Sequence, residues 1–319
     1  MDLRAKLPDP SQPVLLYGTT PPRLGTPQDQ VRAAAEKLAA RLAPLPLDAI
    51  VVYDIQDEPG RTRAPRPFPF AGTVDPCAYS GVLRECTARP AITYKSLGLM
   101  SEAQWREWLE EATGRQDVRY LSIVGRAASS VRYPMTLAQA IRIAAERATS
   151  LCVGGVAIAE RHTDERSEAA RMLAKGLEGC SYFISQTVYH APPTERLLAD
   201  YLRDCRGAGV EPRRIVLTFS PCGREKTLAF LRWLGVNVSP ETERAILGAS
   251  SPLAKSIEIC RENLRRILDQ PYAAALPLGV NVESVSINRD EIDASIDLFH
   301  VLREVLAEFG REASPAPAR

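Results

Sequence analysis

Aromatic residues make up only 6% of this 319-residue chain, too few to supply the stacking platforms that single-stranded nucleic acid binding uses. An excess of charge of one sign is missing too: 40 Lys+Arg stand against 39 Asp+Glu, for a formal net charge of +1. That removes any global attraction to nucleic acid or to an anionic membrane. No run of 18 apolar residues occurs, so no transmembrane helix is expected. The opening MDLRAKLPDPSQP is polar and broken by proline, unlike a signal peptide, and the chain reads as cytoplasmic. Its seven cysteines are scattered and never form a CxxC, which argues against a disulfide framework and against a cysteine-rich zinc site. The three histidines show no HExxH or paired spacing, so no metal is expected. There is also no GxSxG, no P-loop and no GxGxxG, which removes the sequence support for acyl transfer and for the usual nucleotide folds.

What is present is ordinary globular material, 45% apolar and 25% charged, arranged with a strong rhythm. Short apolar runs alternate with amphipathic helical stretches: Val14–Gly18, Ala49–Asp54, Ala91–Tyr94, Tyr120–Val124, Cys152–Ala157, Tyr182–Gln186, Arg214–Phe219 and Val280–Ile287. The runs are continuous rather than alternating, as in strands buried on both faces. Eight βα units in one chain predict an α/β fold of the (β/α)8 TIM-barrel type. One single-domain barrel is expected over 1–310, followed by a disordered tail, 311–319, reading REASPAPAR. Helices are expected at 28–42, 76–86, from Ser101 as an N-cap onward, 137–149, 164–178, 193–205, 226–234, 240–247, 252–269 and 290–309.

In such a barrel, chemistry sits at the C-terminal ends of the strands. Asp54, Asp57 and Glu58 form the densest acidic group at any strand end. Mutual repulsion would raise at least one of their pKa values, as a general acid requires. Equally, they could form a polar loop paired with Arg61, Arg63 or Arg66. Gln186 closes the sixth run, where its amide could both donate to and accept from a heterocycle edge, or simply fill the barrel mouth. Arg289 could grip a carboxylate, or be a solvated neighbour of Asp290 as the helix cap. Glu160 and His162 lie two apart, at the end of the fifth run.

Several segments occur in the order of the methylenetetrahydrofolate reductase family: TTPPR (Thr19–Arg23), GGVAIAERH (Gly154–His162), Lys175 followed by GCSYFISQ (Gly179–Gln186), and VESVSINR (Val282–Arg289). The chain resembles that family from about Val14 to Leu306. The resemblance implies a (β/α)8 barrel and hydride transfer from NAD(P)H to 5,10-methylenetetrahydrofolate, usually through FAD. It implies Gln186 at the pterin and Arg289 at the folate glutamate tail. Phe219, the last residue of the seventh run, is placed with them on the substrate side. Glu160, His162 and Lys175 would match positions lining the FAD site. Against the family pattern, Gly18 stands where a catalytic glutamate is expected, and Gly125, Arg126 and Ala127 replace an Arg-Gly-Asp. The flavin site is eroded, and a flavin-free reductase, with its proton from Asp54, Asp57 or Glu58, is the leading expectation. A folate-dependent one-carbon transfer or demethylation enzyme and a non-catalytic folate binder are the alternatives. The expected partner is a small-molecule folate, and a homo-oligomer is compatible with the sequence.

Overall fold

The apolar runs become strands because a closed parallel sheet is dry on both faces, against its own lumen and against the surrounding helices. A computed structural model describes residues 2–57, 62, 64–125, 134–147 and 149–312. Its strands are β1 (Val14–Thr19), β2 (Ala49–Val52), β3 (Ala91–Ser96), β4 (Tyr120–Val124), β5 (Cys152–Ala157), β6 (Tyr182–Thr187), β7 (Arg214–Phe219) and β8 (Leu278–Glu283). They pair in sequence order, all parallel, and β8 closes on β1. The (β/α)8 barrel expected from the sequence is therefore the fold.

Around the sheet lie α2 (Gln28–Leu42), α3 (Pro76–Thr87), α4 (Glu102–Glu110), α5 (Leu137–Ala145), α6 (Glu168–Glu178), α7 (Ala191–Ala208), α8 (Glu225–Trp233), α9 (Pro240–Leu247), α10 (Pro252–Leu268) and α11 (Arg289–Glu312), while α1 (Leu3–Lys6) precedes β1. Ser101 caps α4 through a reciprocal capping box with Gln104, which satisfies two orphan backbone donors at once. Several boundaries differ from expectation, among them α6, which starts at Glu168 rather than at 164, and α7, which spans Ala191–Ala208 rather than 193–205. The last strand ends at Glu283 rather than Ile287, α5 stops at Ala145, and α11 runs to Glu312, two residues into the expected tail. The rest of that tail, 313–319, lies outside the described residues.

Strand parity divides the core in two. Leu15, Ile50, Leu121, Phe183, Leu217 and Val280 pack outward against the helices. Leu16, Val51, Tyr94, Tyr182 and Val216 fill the lumen. Gly154 makes room for the Tyr182 ring, since a Cβ there would lie 2.2 Å from it. The Tyr182 hydroxyl in turn accepts from Ser122 at 3.3 Å.

The N-terminal end of the barrel is plugged by Arg214, which has no exposed surface. Its guanidinium donates to the carbonyls of Leu7 (3.0 Å), Leu278 (2.7 Å), Lys6 (2.7 Å) and Asp9. Desolvation pulls its pKa down to about 10, which still leaves it charged at neutral pH. Lys6 adds a second tie, donating to both oxygens of Asp48 at 2.9 Å. The bottom is thereby shut, and the open end is the one carrying the strand C-termini.

Arg214→Leu is expected to destabilise the protein by about 2–4 kcal/mol in urea unfolding, because it strands buried carbonyls that leucine cannot satisfy. A loss below about 1 kcal/mol would mean that the N-terminal segment closes the barrel without it.

Candidate active site at the barrel mouth

The polar face of β8 is the main feature of the mouth. In LGVNVE, Leu278, Val280 and Val282 belong to the outer core, so Gly279, Asn281 and Glu283 face the lumen by alternation. Glu283, the last residue of the strand, lies at the mouth. Asn281 is fully buried, and its Nδ2 donates to Tyr53 Oη at 2.9 Å and to Thr218 Oγ1 at 3.3 Å. Thr187 Oγ1 donates to Glu283 Oε1 at 3.2 Å. Glu283 Oε2 and Asn281 Oδ1 are buried with no hydrogen-bond partner among the described residues.

Gly18 is the reason this arrangement fits. It pairs with Glu283 across β1 and β8. A Cβ at Gly18 would lie 2.9 Å from Tyr53 Cε2, and 3.0 Å from both Glu283 Oε2 and Tyr53 Oη. Any side chain there would displace the pair. Burial is the largest influence on Glu283 and raises its pKa, opposed in part by its polar neighbours Tyr53, Thr187 and Asn281. Burial also lifts the Tyr53 phenol well above its ordinary value, and the nearby Glu283 charge adds to it. A carboxyl that keeps its proton beyond the usual range is suited to act as an acid.

Of the acidic group after β2, Asp54 and Asp57 lie among the described residues. Asp54 Oδ2 accepts the Ser96 N–H at 2.8 Å and Oδ1 accepts Gln56 Nε2 at 2.6 Å, so this carboxylate ties the end of β2 to that of β3. Asp57 is exposed. Glu58, Arg61, Arg63, Arg126 and Ala127 lie outside the described residues. Arg66 makes no ion pair among the described residues: its guanidinium sits 4.7 Å from the Trp233 ring centre, 5.4 Å from that of Phe70 and 5.6 Å from that of Phe230. This cation–π box fastens the proline-rich loop to α8.

Gln186 is half-buried at the end of β6. The β6–β7 register shifts between Ile184 and Thr187, and beyond the shift Thr187 reaches Glu283 while Gln186 Nε2 donates to the Leu234 carbonyl at 2.6 Å. Phe219 does not face the mouth. It is fully buried in the outer core, because it has the same parity as Ile215 and Leu217. Arg289 opens α11, is 83% exposed, and makes an i,i+4 ion pair with Asp293 at 3.4 Å. The cap of that helix is Asn288, whose Oδ1 accepts the Glu291 N–H at 3.2 Å, and not Asp290. Glu291, only 1% exposed, accepts from Gly223 N at 3.2 Å, Thr227 Oγ1 at 3.1 Å and Ser286 Oγ. It thereby joins the loops after β7 and β8.

The three residues that the resemblance assigns to FAD each bond to protein partners. His162 is buried, with Nδ1 accepting the Glu168 N–H at 3.2 Å and Nε2 at 2.8 Å from Asp200. Both ring nitrogens are therefore spent on holding α6 and α7. Lys175 donates to the Val156 carbonyl at 2.8 Å and to Glu168 at 3.4 Å. Glu160 accepts the Asn237 N–H at 3.3 Å, and burial raises its pKa. Among the described residues no cluster of His, Cys, Asp and Glu could hold a metal ion, and no helix is long and apolar enough to cross a membrane.

No protein-family model matches the chain, and no curated protein matches it. Among solved structures, an uncharacterised protein from Clostridium thermocellum that binds two copies of 5-methyl-5,6,7,8-tetrahydrofolic acid is similar, at TM-score 0.78 and 29% identity over 92% of this chain and 96% of that one. A 2,3-dimethylmalate lyase (TM-score 0.48, 14% identity, 99% and 89% covered) and a dihydropteroate synthase from Xanthomonas albilineans (0.46, 15%, 92% and 93%) are far more distant, and nothing is drawn from them.

The unmet carboxylate oxygen has a consequence for stability. The folded state holds the Glu283 proton at pH values where the unfolded chain releases it. Its contribution is therefore full below the ordinary glutamate pKa and is lost as pH rises through the raised folded value. Glu283→Gln keeps the shape of the protonated acid without the charge. It is expected to leave Tm nearly unchanged near pH 4 and to raise it by about 2–4 °C at pH 8. A Tm difference that does not vary with pH would show that Glu283 titrates as an ordinary carboxyl.

Proposed function

We propose that the barrel mouth binds a reduced folate and that the protein is an oxidoreductase of one-carbon metabolism, similar to methylenetetrahydrofolate reductase. In this reading, hydride passes from NAD(P)H to 5,10-methylenetetrahydrofolate. The observation that carries it is the likeness, over nearly the whole of both chains, to a protein that binds 5-methyltetrahydrofolate, which is the product of that reduction. The mouth supplies chemistry of the right kind. It is closed below and lined by tyrosine, threonine and asparagine groups that can orient a polar heterocycle. It also holds a carboxyl group biased toward its acid form.

Gln186 would face the pterin edge. Moving there requires it to exchange its bond to the Leu234 carbonyl for bonds to the ligand. Arg289, held only by an exposed ion pair that contributes little, would swing to the anionic glutamate tail. Hydride would pass directly from NAD(P)H, since the side chains of His162 and Lys175 are committed to protein partners. The same neighbour supports a second reading, because methyltetrahydrofolate is also a methyl donor: the protein would then transfer or remove that methyl group without consuming NAD(P)H.

Anaerobic NADH and NADPH oxidation with methylenetetrahydrofolate, run with and without added FAD, separates the two. Turnover without FAD is expected. Tight 5-methyltetrahydrofolate binding with no nicotinamide oxidation would favour methyl transfer. Gln186→Ala is expected to weaken 5-methyltetrahydrofolate binding about tenfold in calorimetry, for the loss of one or two hydrogen bonds. Unchanged affinity would remove Gln186 from the ligand site.

A further inference from the structure

We infer that Glu283, projecting from β8 over Gly18 of β1, is the proton donor of the reaction. The inference rests on the reductase reading above. Asp57 is exposed, and partners distinguish the more buried described carboxylates at or near the strand ends. Asp54 is held by Ser96 and Gln56. Glu160 accepts from Asn237. Glu291 accepts three donors from the loops around it. Each of these is occupied in holding backbone or loops. Glu168 and Glu283 are the described carboxylates that keep a buried oxygen without a hydrogen-bond partner, although a buried unsatisfied acceptor is disfavoured. Arg171 Nη1 lies 3.7 Å from that of Glu168, whereas Glu283 makes no ion pair among the described residues. Such a group is explained by a ligand that completes it.

The surroundings agree. Glu283 is the last residue of its strand, at the open end, and is partly exposed as a residue. Gly18 provides the volume that lets Oε2 and the Tyr53 hydroxyl stand together. The Thr187 hydroxyl donates to the other oxygen and supports the carboxylate once the proton has left. Tyr53 itself is too weak an acid for the task, since burial drives its pKa further from neutrality.

In the step, Oε2 gives its proton to N10 of methylenetetrahydrofolate as the bond between N10 and the methylene carbon breaks. This leaves an iminium at N5. The dihydronicotinamide then delivers hydride to the methylene carbon, giving the N5-methyl group and oxidised nicotinamide. Glu283 is left ionised and recovers a proton from solvent. One proton and one hydride are consumed for each folate reduced.

Three proteins test this, wild type, Glu283→Gln and Glu283→Asp, each measured for 5-methyltetrahydrofolate affinity and for kcat of anaerobic NADH oxidation across pH. Glu283→Gln is expected to lose about 100-fold or more in kcat while its affinity stays within about threefold of wild type. Retained affinity also shows that the variant is folded. The wild-type rate should fall as pH rises through the raised Glu283 pKa, and Glu283→Asp should keep a falling limb at a displaced pH. Wild-type kcat in Glu283→Gln, or the same falling limb in it, overturns the assignment. Wild-type protein that binds 5-methyltetrahydrofolate yet oxidises no NADH also overturns it, while leaving folate binding intact. Wild-type protein that binds no 5-methyltetrahydrofolate overturns the functional reading and the assignment with it.

Discussion

Space above Gly18 is the constraint on which the mouth depends. In a closed parallel barrel, the inward side chains of neighbouring strands converge on one layer, so the atoms that one strand omits decide what the next can place there. Gly18 omits a side chain, and Tyr53 from the β2 side and Glu283 from the β8 side lean into the volume. From that pair the polar layer extends through Asn281 to Thr218 and through Thr187. Burying these groups together places a carboxyl among the neutral groups of Tyr53, Thr187 and Asn281, which is why it favours the acid form.

The strands were legible in the sequence because a sheet buried on both faces needs apolar residues at consecutive positions, and seven of the eight expected runs begin where the strands begin. The last strand shows the limit. After Glu283 the residues Val285 and Ile287 continue an apolar rhythm, yet the chain leaves the sheet at Glu283. The pairing of β8 with β1 and β7 runs out there, and pairing length is a tertiary property that no local window contains.

The buried carboxyl at the mouth was not legible in the sequence. Composition drew attention to Asp54, Asp57 and Glu58 because three acids lie close in sequence. Sequence proximity, however, does not say which oxygens are already satisfied, and Asp54 is bonded to the backbone of the next strand. The missed signal was parity. LGVNVE places its polar residues at alternate positions, and a polar inner face on a buried strand marks a lumen that contains more than packing. The same counting applied to RIVLTF sends Phe219 outward with Ile215 and Leu217, and Thr218 inward. The histidine and lysine that resemble a cofactor site show the same dependence on partners: His162 and Lys175 bond to α6, α7 and the β5 backbone.

The pairing of Gly18 with Glu283 also shows how a carboxyl carried by one strand can occupy the volume above its neighbour. Adjacent strands lie about 4.8 Å apart, and a glutamate side chain is long enough to span that gap. A carboxyl carried by β8 can therefore reach the volume above β1, provided that β1 carries no side chain of its own. The two positions are coupled by sterics: a side chain at position 18 would crowd the present conformation of Glu283. Glycine at position 18 is thus part of the site's construction, since without it neither the Tyr53 ring nor the Glu283 carboxyl could occupy the layer. The arrangement leaves a buried oxygen unsatisfied in the absence of ligand, and such a cost persists in a fold chiefly where a function requires the group.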